Sequence, residues 1–444
     1  MRVYVKKLTL LGIALGSVAV ASGTLRAQKN VVTLEDVTVV DGTGAPPLRS
    51  RTVVISEGRI TDIFTSGSKR IPRAAERHRL PGMFVVPGLI DAHVHVTTYT
   101  TRSGQDSLLA LLFQSGVTSV RDMAGDVVAL SQLQRTANES GSPWPRIYYS
   151  AVMAGPTFMA SDPRTIPASH GVPPGPSPWL RAIYDTTNVG LAVDVAKWTG
   201  ATAVKLYADL DASAVSRLTA EAHRQGMKVW AHAAVIPARP GDAVRAGVDV
   251  ISHADILIAE ALTRMPATFA EARLLRQYDS VPVTDTNLTR LLREMKASRT
   301  MLEPTLLTAR LMAARASGDT SRRFMWTIDR WSYDITRRAH DLGIPIVAGT
   351  DRMGIPGRDS LALIHDELEL LVRESGLSPL EALHSATENG ARAIGIEKDY
   401  GTIQIGKVAD MVVLRADPLA DIRNTRTVVS IIKAGRLTER QRVR

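Results

Sequence analysis

The sequence predicts an α/β chain in which a (β/α)8 barrel carries a small β-sandwich built from both chain ends. Three observations lead there. Between residues 87 and 399, short apolar strands alternate with helical segments, the pattern of a parallel barrel or a doubly wound sheet. Eight such strands can be counted, which favours a closed barrel. The flanking segments 31–86 and 400–440 show short alternating apolar patterns, and neither alone can bury both faces of a sheet, so the two ends are expected to pack together.

The elements follow in chain order. Residues 1–27 read as a secretory signal peptide: Arg2, Lys6 and Lys7 precede the apolar run LTLLGIALGSVAVA, which is shorter than the roughly 20 residues of a membrane span and is followed by small residues. Cleavage after Ala21 or after Ala27 sends the mature chain to the periplasm or the exterior with no stable membrane anchor; the alternative is an uncleaved N-terminal anchor helix. From Val31 onward, breaks at Asp41-Gly42, Glu57-Gly58 and Pro81-Gly82 mark strands joined by tight turns. The candidate barrel strands are GLIDAHVHV, GVTSVRDM, RIYYSAV, AVKLYAD, KVWAHAA, DVISHAD, TMLEPTLL and IPIVAGTD. The intervening helices are ordinary; in SAVSRLTAEAHRQG, Val215, Leu218 and Ala222 share one face, Ser213 is placed to cap the start and Gly226 to end it. Gly155 to Trp179, rich in proline, is expected to be a long loop over the C-terminal rim, where barrel sites form.

Composition narrows the chemistry. The 444 residues contain no cysteine, which excludes a disulfide framework, a thiolate metal site and a cysteine nucleophile. The net charge of +10 owes four charges to Arg2, Lys6, Lys7 and Arg26. No basic run or interleaving of aromatic and basic residues marks a nucleic-acid surface, so the expected partner is a small-molecule substrate; a homo-oligomer remains open.

Strand alternation places Asp91, His93 and His95 on one side of GLIDAHVHV, with Ala92 and Val94 on the other against helices. Two imidazoles one strand repeat apart can ligate one metal. His232 ends KVWAH, His253 ends VDVISH, Asp351 ends IPIVAGTD, and Lys205 sits within AVKLYAD with Tyr207 on the same face. Packing does not require four histidines, an aspartate and a lysine at the C-terminal ends of strands; chemistry does.

The motifs PGLIDAHVH, GVTSVRDM, AVKLYAD, the histidines of WAHAA and ISHAD, AGTD, SPLEALHSATENGARAIG and GTIQIGKVADMVVL occur in this order. Together they resemble the metal-dependent amidohydrolase superfamily, in its prolidase-like and imidazolonepropionase-related branch, from Val31 to Gly435. The resemblance implies two divalent metals, zinc on the grounds of nitrogen and oxygen donors without thiolate. It implies His93 and His95 on the buried metal, His232 and His253 on the outer one, a carboxylated Lys205 bridging both, and Asp351 as ligand and base. The reaction implied is attack of metal-activated hydroxide on an amide of a peptide, an N-acyl amino acid or a cyclic amide.

Two departures shape that expectation. Deaminating members and true imidazolonepropionases carry a glutamate shortly after the fifth-strand histidine, whereas Ala233, Ala234, Val235 and Ile236 follow His232 here, which argues against deamination. The Gly-Gly-His-Gly element of many prolidase-like members is replaced by AVMAGPTFMASDPRT, so a dipeptide pocket does not carry over; His170 nearby, together with Tyr207, is a candidate for contacting substrate. His365 reads as structural or supporting. A lactonase, esterase or phosphotriesterase on the same metals stays open, as does a metal-binding protein without catalysis. If residues 1–27 direct export, N-terminal sequencing of the native protein finds a mature chain beginning near Ser22 or Gln28; soluble cytoplasmic protein that retains Met1 would contradict export.

Overall fold

The computed structural model describes residues 31–98, 101–139, 141–272, 278, 280–351 and 361–441, so the leader expected at 1–27 lies outside the described residues. The first strands are β1 (Val31–Val39), β2 (Leu48–Ser56), β3 (Arg59–Thr65), β4 (Glu76–Arg79) and β5 (Phe84–Pro87). The chain then enters the barrel through β6 (Leu89–Val94), β7 (Val117–Asp122), β8 (Arg146–Ala154), β9 (Leu180–Ala182), β10 (Ala203–Leu206), β11 (Lys228–His232), β12 (Val250–Ser252) and β13 (Met301–Glu303). It returns through β14 (Met411–Leu414), β15 (Val428–Lys433) and β16 (Arg436–Glu439).

Both chain ends join in one sheet of order β16-β15-β14-β5-β1-β2-β3, with β4 also paired to β1. The junction is the antiparallel β14·β5 ladder, and Leu34, Val53, Val85, Met411, Val413 and Ile432 build a common apolar core from strands far apart in sequence. The β2–β3 hairpin turns on Glu57 and Gly58, both at positive φ (51° and 74°), which matches a two-residue turn whose twist suits the flanking strands.

The barrel strands pair in parallel in the order β6-β7-β8-β10-β11-β12-β13, and β9 lies against β8 at Val152–Ala154. The eighth expected strand, IPIVAGTD, closes the ring through single contacts rather than a regular ladder: Leu302 pairs with Ile346, and the Ala92 amide donates to the Ala348 carbonyl at 3.0 Å. Within the barrel, Ala203, Trp230, Val250, Met301 and Val347 form a buried cluster. Each lies two residues before a polar or small residue at the strand end, namely Lys205, His232, Ser252, Glu303 and Gly349. The two-residue strand repeat thus stacks an apolar layer beneath the chemical one.

Two local expectations need correction. Asp211, not Ser213, caps the helix Ala212–Arg224, its carboxylate accepting from the Ala214 amide at 2.7 Å; Ser213 is already inside the first turn. Val215, Leu218 and Ala222 are buried as the spacing requires, and Gly226 follows the helix at φ 76°. The segment 155–179 is not all loop, since it folds the short helices Pro156–Ser161 and Thr165–Ala168, the first with its proline at the start where no amide partner is needed.

His365, in the helix Ile364–Arg373, is buried between the Thr425 hydroxyl and the Ser115 carbonyl, each 3.0 Å away, and so ties the barrel to the returning chain. Burial, with Arg426 nearby, pushes it down to about 3. The unfolded chain therefore binds this proton below pH 6.5 while the folded chain refuses it. The stability that follows is complete above pH 6.5 and declines as pH falls toward about 3; urea titrations of His365→Gln should show a shallower decline over that window. Arg146 of β8 pairs with Asp410 just before β14, both largely buried. Asp410→Ala leaves that guanidinium unpaired and should lower stability by roughly 3 kcal/mol. Arg423→Ala, at the exposed Asp421 pair, should leave the thermal denaturation midpoint close to that of the parent.

Candidate metal centre

The site begins with a clamp between the first and eighth barrel strands. The buried Asp91 carboxylate accepts from the amides of His93 (3.2 Å) and Thr350 (3.0 Å) and from the Thr350 hydroxyl (2.8 Å). One residue on, the Asp351 amide donates to the His93 carbonyl at 2.8 Å, and Asp351 is held at φ 47°, a left-handed conformation that non-glycine residues occupy at a cost. The strands can approach this closely because residue 349 is glycine: a Cβ there would stand 2.4 Å from a Glu303 oxygen and 2.8 Å from the His93 Cβ.

This backbone aims the Asp351 carboxylate at the histidines. Its Oδ1 lies 3.3 Å from His93 Nε2 and 3.1 Å from His95 Nε2, and its Oδ2 lies 3.7 Å from His253 Nδ1. His95 sits just beyond the end of β6 yet stays on the site side, as alternation requires. The four imidazoles form a continuous row, with ring centroids 5.2 Å apart from His95 to His93, 5.1 Å from His93 to His253, and 4.8 Å from His253 to His232. Separate acceptors fix the outer ring nitrogens: His93 Nδ1 donates to Glu303 at 3.0 Å, His95 Nδ1 to the Ala124 carbonyl at 3.1 Å, and His232 Nδ1 to the Ala234 carbonyl at 3.1 Å. In all three this leaves Nε2 as the nitrogen with a lone pair to offer a metal.

Electrostatics agree with that use. Burial pushes His93 down, pushes His232 to about 3 with help from Lys205, and pushes His253 well below the usual range, which leaves uncharged imidazoles. Burial opposes ionisation of Asp351, but His93, His95 and His253 outweigh it and hold the carboxyl well below the ordinary range. Burial also opposes charge on His95, yet its hydrogen bond to Asp351 and the charge of that carboxylate raise it, an attraction that a cation between the two would replace. Among the described residues, His93, His95 and Asp351 place one donor atom each within 4.8 Å of one another, a donor set that fits a divalent ion.

Lys205 is fully buried, its Nζ 3.3 Å from the Ser252 hydroxyl. Burial pulls it down to about 7, Glu303 opposing and Arg121 reinforcing the shift. The half-buried Tyr207 packs its ring 5.0 Å from His232 and 4.9 Å from Phe158, and its hydroxyl accepts from Arg164 at 2.8 Å rather than meeting Lys205. Arg164, on the 155–179 segment, is itself gripped by Asp162. His170 lies on the rim, exposed at φ 53°, and donates to Asp126 at 2.7 Å.

The sequence reading passed over Arg121 and Glu303. Both are wholly buried in the barrel and lie 2.7 Å apart as an ion pair, with the Arg121 guanidinium 4.4 Å from the centre of the Trp230 ring. The available signal was Arg121 inside VTSVRD, where Thr118, Ser119 and Asp122 make it inconspicuous, and Glu303 closing the otherwise apolar MLE. Phe269 and Arg164 also escaped notice, because sequence spacing does not reveal that Phe269 stands 5.3 Å from the His232 ring.

Comparison with known proteins establishes the family and the fold. An ochratoxinase of Aspergillus niger is 25% identical over 453 aligned positions, covering 90% of this chain and 85% of the relative. An imidazolonepropionase of Deinococcus deserti is 25% identical over 390 positions, covering 82% and 85%. The crystal structure of a Xaa-Pro dipeptidase with methionine bound in its active site superposes with a TM-score of 0.72 at 22% identity, covering 92% of this chain and all of the other, and shares the fold. The model of the amidohydrolase family matches residues 84–438, from the last strand before the barrel to the last strand of the returning sheet. The chain therefore belongs to the amidohydrolase family, hydrolases that act on carbon–nitrogen bonds.

Proposed function

We propose that this protein is a binuclear, metal-dependent hydrolase that cleaves an amide bond in a peptide, an N-acyl amino acid or a cyclic amide. The observation that carries the proposal is the unbroken row of four imidazoles flanked by Asp351 and the buried Lys205. His93, His95 and Asp351 would hold one ion and His232 and His253 the second, with a carboxylated Lys205 joining them. Zinc suits a set of nitrogen and oxygen donors without thiolate. Bound there, divalent metals would polarise the scissile carbonyl and make a water molecule acidic enough to lose a proton near neutral pH.

The side chains supply the rest. Lys205 at about 7 has a large neutral fraction at physiological pH, and the neutral amine is the form that adds to carbon dioxide to give a carbamate with oxygen donors. Asp351, ionised and central, accepts the proton of the attacking water at a carboxylate oxygen and delivers it to the departing nitrogen as the carbon–nitrogen bond breaks. Tyr207 accepts its hydrogen bond from Arg164, so its own O–H is free to donate to a substrate oxygen. His170, anchored by Asp126, can reach a distal part of the substrate at the rim. The apolar stretch Ala233 to Ile236 after His232 offers no acid for deamination, which favours hydrolysis of an amide.

Elemental analysis of dialysed protein should find about two zinc ions per chain, and His93→Ala and His95→Ala should lose metal together. A panel of dipeptides, N-acyl amino acids and cyclic amides, run beside lactones and phosphotriesters, tests the bond; turnover confined to the oxygen esters would displace the amide reading. Asp351→Asn keeps shape and one oxygen donor but accepts no proton. It should bind substrate nearly as well as the parent while turnover falls on the order of a hundredfold or more. Lys205→Ala should lose both metals and activity, with partial recovery of each in short-chain carboxylic acids.

A further inference from the structure

Glu303 occupies a position that neither the fold nor the proton chemistry above requires. It ends β13, it is wholly buried, and its two oxygens face three different side chains. Oε2 accepts from His93 Nδ1 at 3.0 Å and from the Ser252 hydroxyl at 2.5 Å. Ser252 in turn faces Lys205 Nζ at 3.3 Å. Oε1 lies 2.7 Å from the Arg121 guanidinium, which is fixed by donating to the Ala92 carbonyl at 2.5 Å and by stacking on Trp230. The Trp230 ring is pinned by its own bond to the Ala393 carbonyl at 2.9 Å.

Each link has a physical consequence. An ionised carboxylate at Nδ1 makes His93 carry its proton there, so the Nε2 lone pair faces Asp351 and the donor set. The same oxygen accepts the Ser252 hydroxyl's hydrogen bond, which leaves the serine oxygen's lone pairs to accept from Lys205 and sets the position of Nζ. Arg121 balances the buried charge, and without it an isolated carboxylate at this depth would take up a proton and lose its hold on both donors. A carboxylate used only for packing would need none of this convergence.

We propose that Glu303, held by Arg121, is a positioning residue that orients two metal-binding side chains at once, His93 directly and Lys205 through Ser252, and so links loading of the inner and outer ions. The proposal rests on the binuclear reading and adds a residue that this reading does not assign. Three variants separate its parts. Arg121→Met/Glu303→Gln removes the ion pair as a unit, so no buried charge is stranded. Ser252→Ala cuts only the arm to Lys205. Glu260→Gln alters a different buried carboxylate, which serves the Gly241 amide and Arg290 on the outer layer, and reports what loss of a buried carboxylate does by itself.

Metal-free protein is titrated with zinc against a competing chelator, and cobalt-loaded protein is examined by visible absorption. The double variant should bind zinc about 10- to 100-fold more weakly and show an altered cobalt band. Ser252→Ala should weaken the second zinc equivalent more than the first, which keeps His93, His95 and Asp351, and Glu260→Gln should match the parent in both readouts. Nitrogen-15 spectra of histidine-labelled, metal-free parent protein need no variant, and should show His93 protonated at Nδ1. A deprotonated Nδ1, or parent-like zinc affinity and cobalt spectrum in the folded double variant, overturns the proposal, and an unchanged second equivalent in Ser252→Ala overturns the arm to Lys205. Parent protein that takes up no zinc overturns the metal reading itself, and this proposal with it.

Discussion

Closure of the barrel between its first and eighth strands is the constraint on which the site depends. The eighth segment does not pair as a regular strand; a few bonds hold it, chiefly the two that Asp91 accepts from the Thr350 amide and hydroxyl and the one that Asp351 donates to the His93 carbonyl. Those bonds join the HxH segment and the catalytic candidate aspartate into one rigid unit. Because Asp351 is thereby kept in a left-handed conformation, its carboxylate cannot relax outward along an ordinary strand and stays among the imidazoles. A ring closed by a full ladder would not need this clamp. A ring closed by side-chain and single backbone bonds places its chemistry at the seam.

The charge arrangement follows from burial in that seam. Three imidazoles kept neutral, one carboxylate kept ionised and one lysine pulled to about 7 form a set that costs free energy to assemble without a cation. The left-handed backbone at His253, Thr305 and Asp351 marks the same rim, where strain and buried polar groups collect in place of packing. Beneath it, the layer of Ala203, Trp230, Val250, Met301 and Val347 supplies the apolar burial that such a site forgoes. Among the described residues, the sheet formed by the chain ends contributes none to the candidate metal centre. It fixes the barrel from outside, through the Arg146–Asp410 pair and the contacts of His365 with the returning chain.

Much of this was legible in the chain. The alternation of GLIDAHVHV put His93 and His95 on one side, and the strand-end positions of His232, His253 and Asp351 followed from where apolar runs stop; the structure brings all of them to one rim with Lys205. Seven of the eight strand segments were likewise readable and form ladders, because parallel strands buried on both faces leave short apolar runs between helices, whereas IPIVAGTD is held by single contacts. The cap of Ala212–Arg224 was misplaced by two residues, since Asp211 and Ser213 are both good caps and only the backbone shows which one precedes the first turn. The helices within 155–179 went unread because four and six residues are too few for a helical period to show.

What the sequence determined by itself is therefore what depends on local periodicity: the strands, the parity of their side chains, and the histidines, lysine and aspartate at their ends. What only the tertiary structure decided is which distant residues meet. Glu303 reaches His93 across 210 positions, Arg121 finds Glu303 between strands that are not neighbours, and Arg164 arrives at Tyr207 from a segment with no repeat to betray it. Barrel closure brings together residues of equal height on different strands, and height within a closed ring is set by stagger and curvature of the whole sheet. No local pattern encodes that quantity, so the metal-binding candidates could be named from the chain, whereas the buried ions that orient them could not.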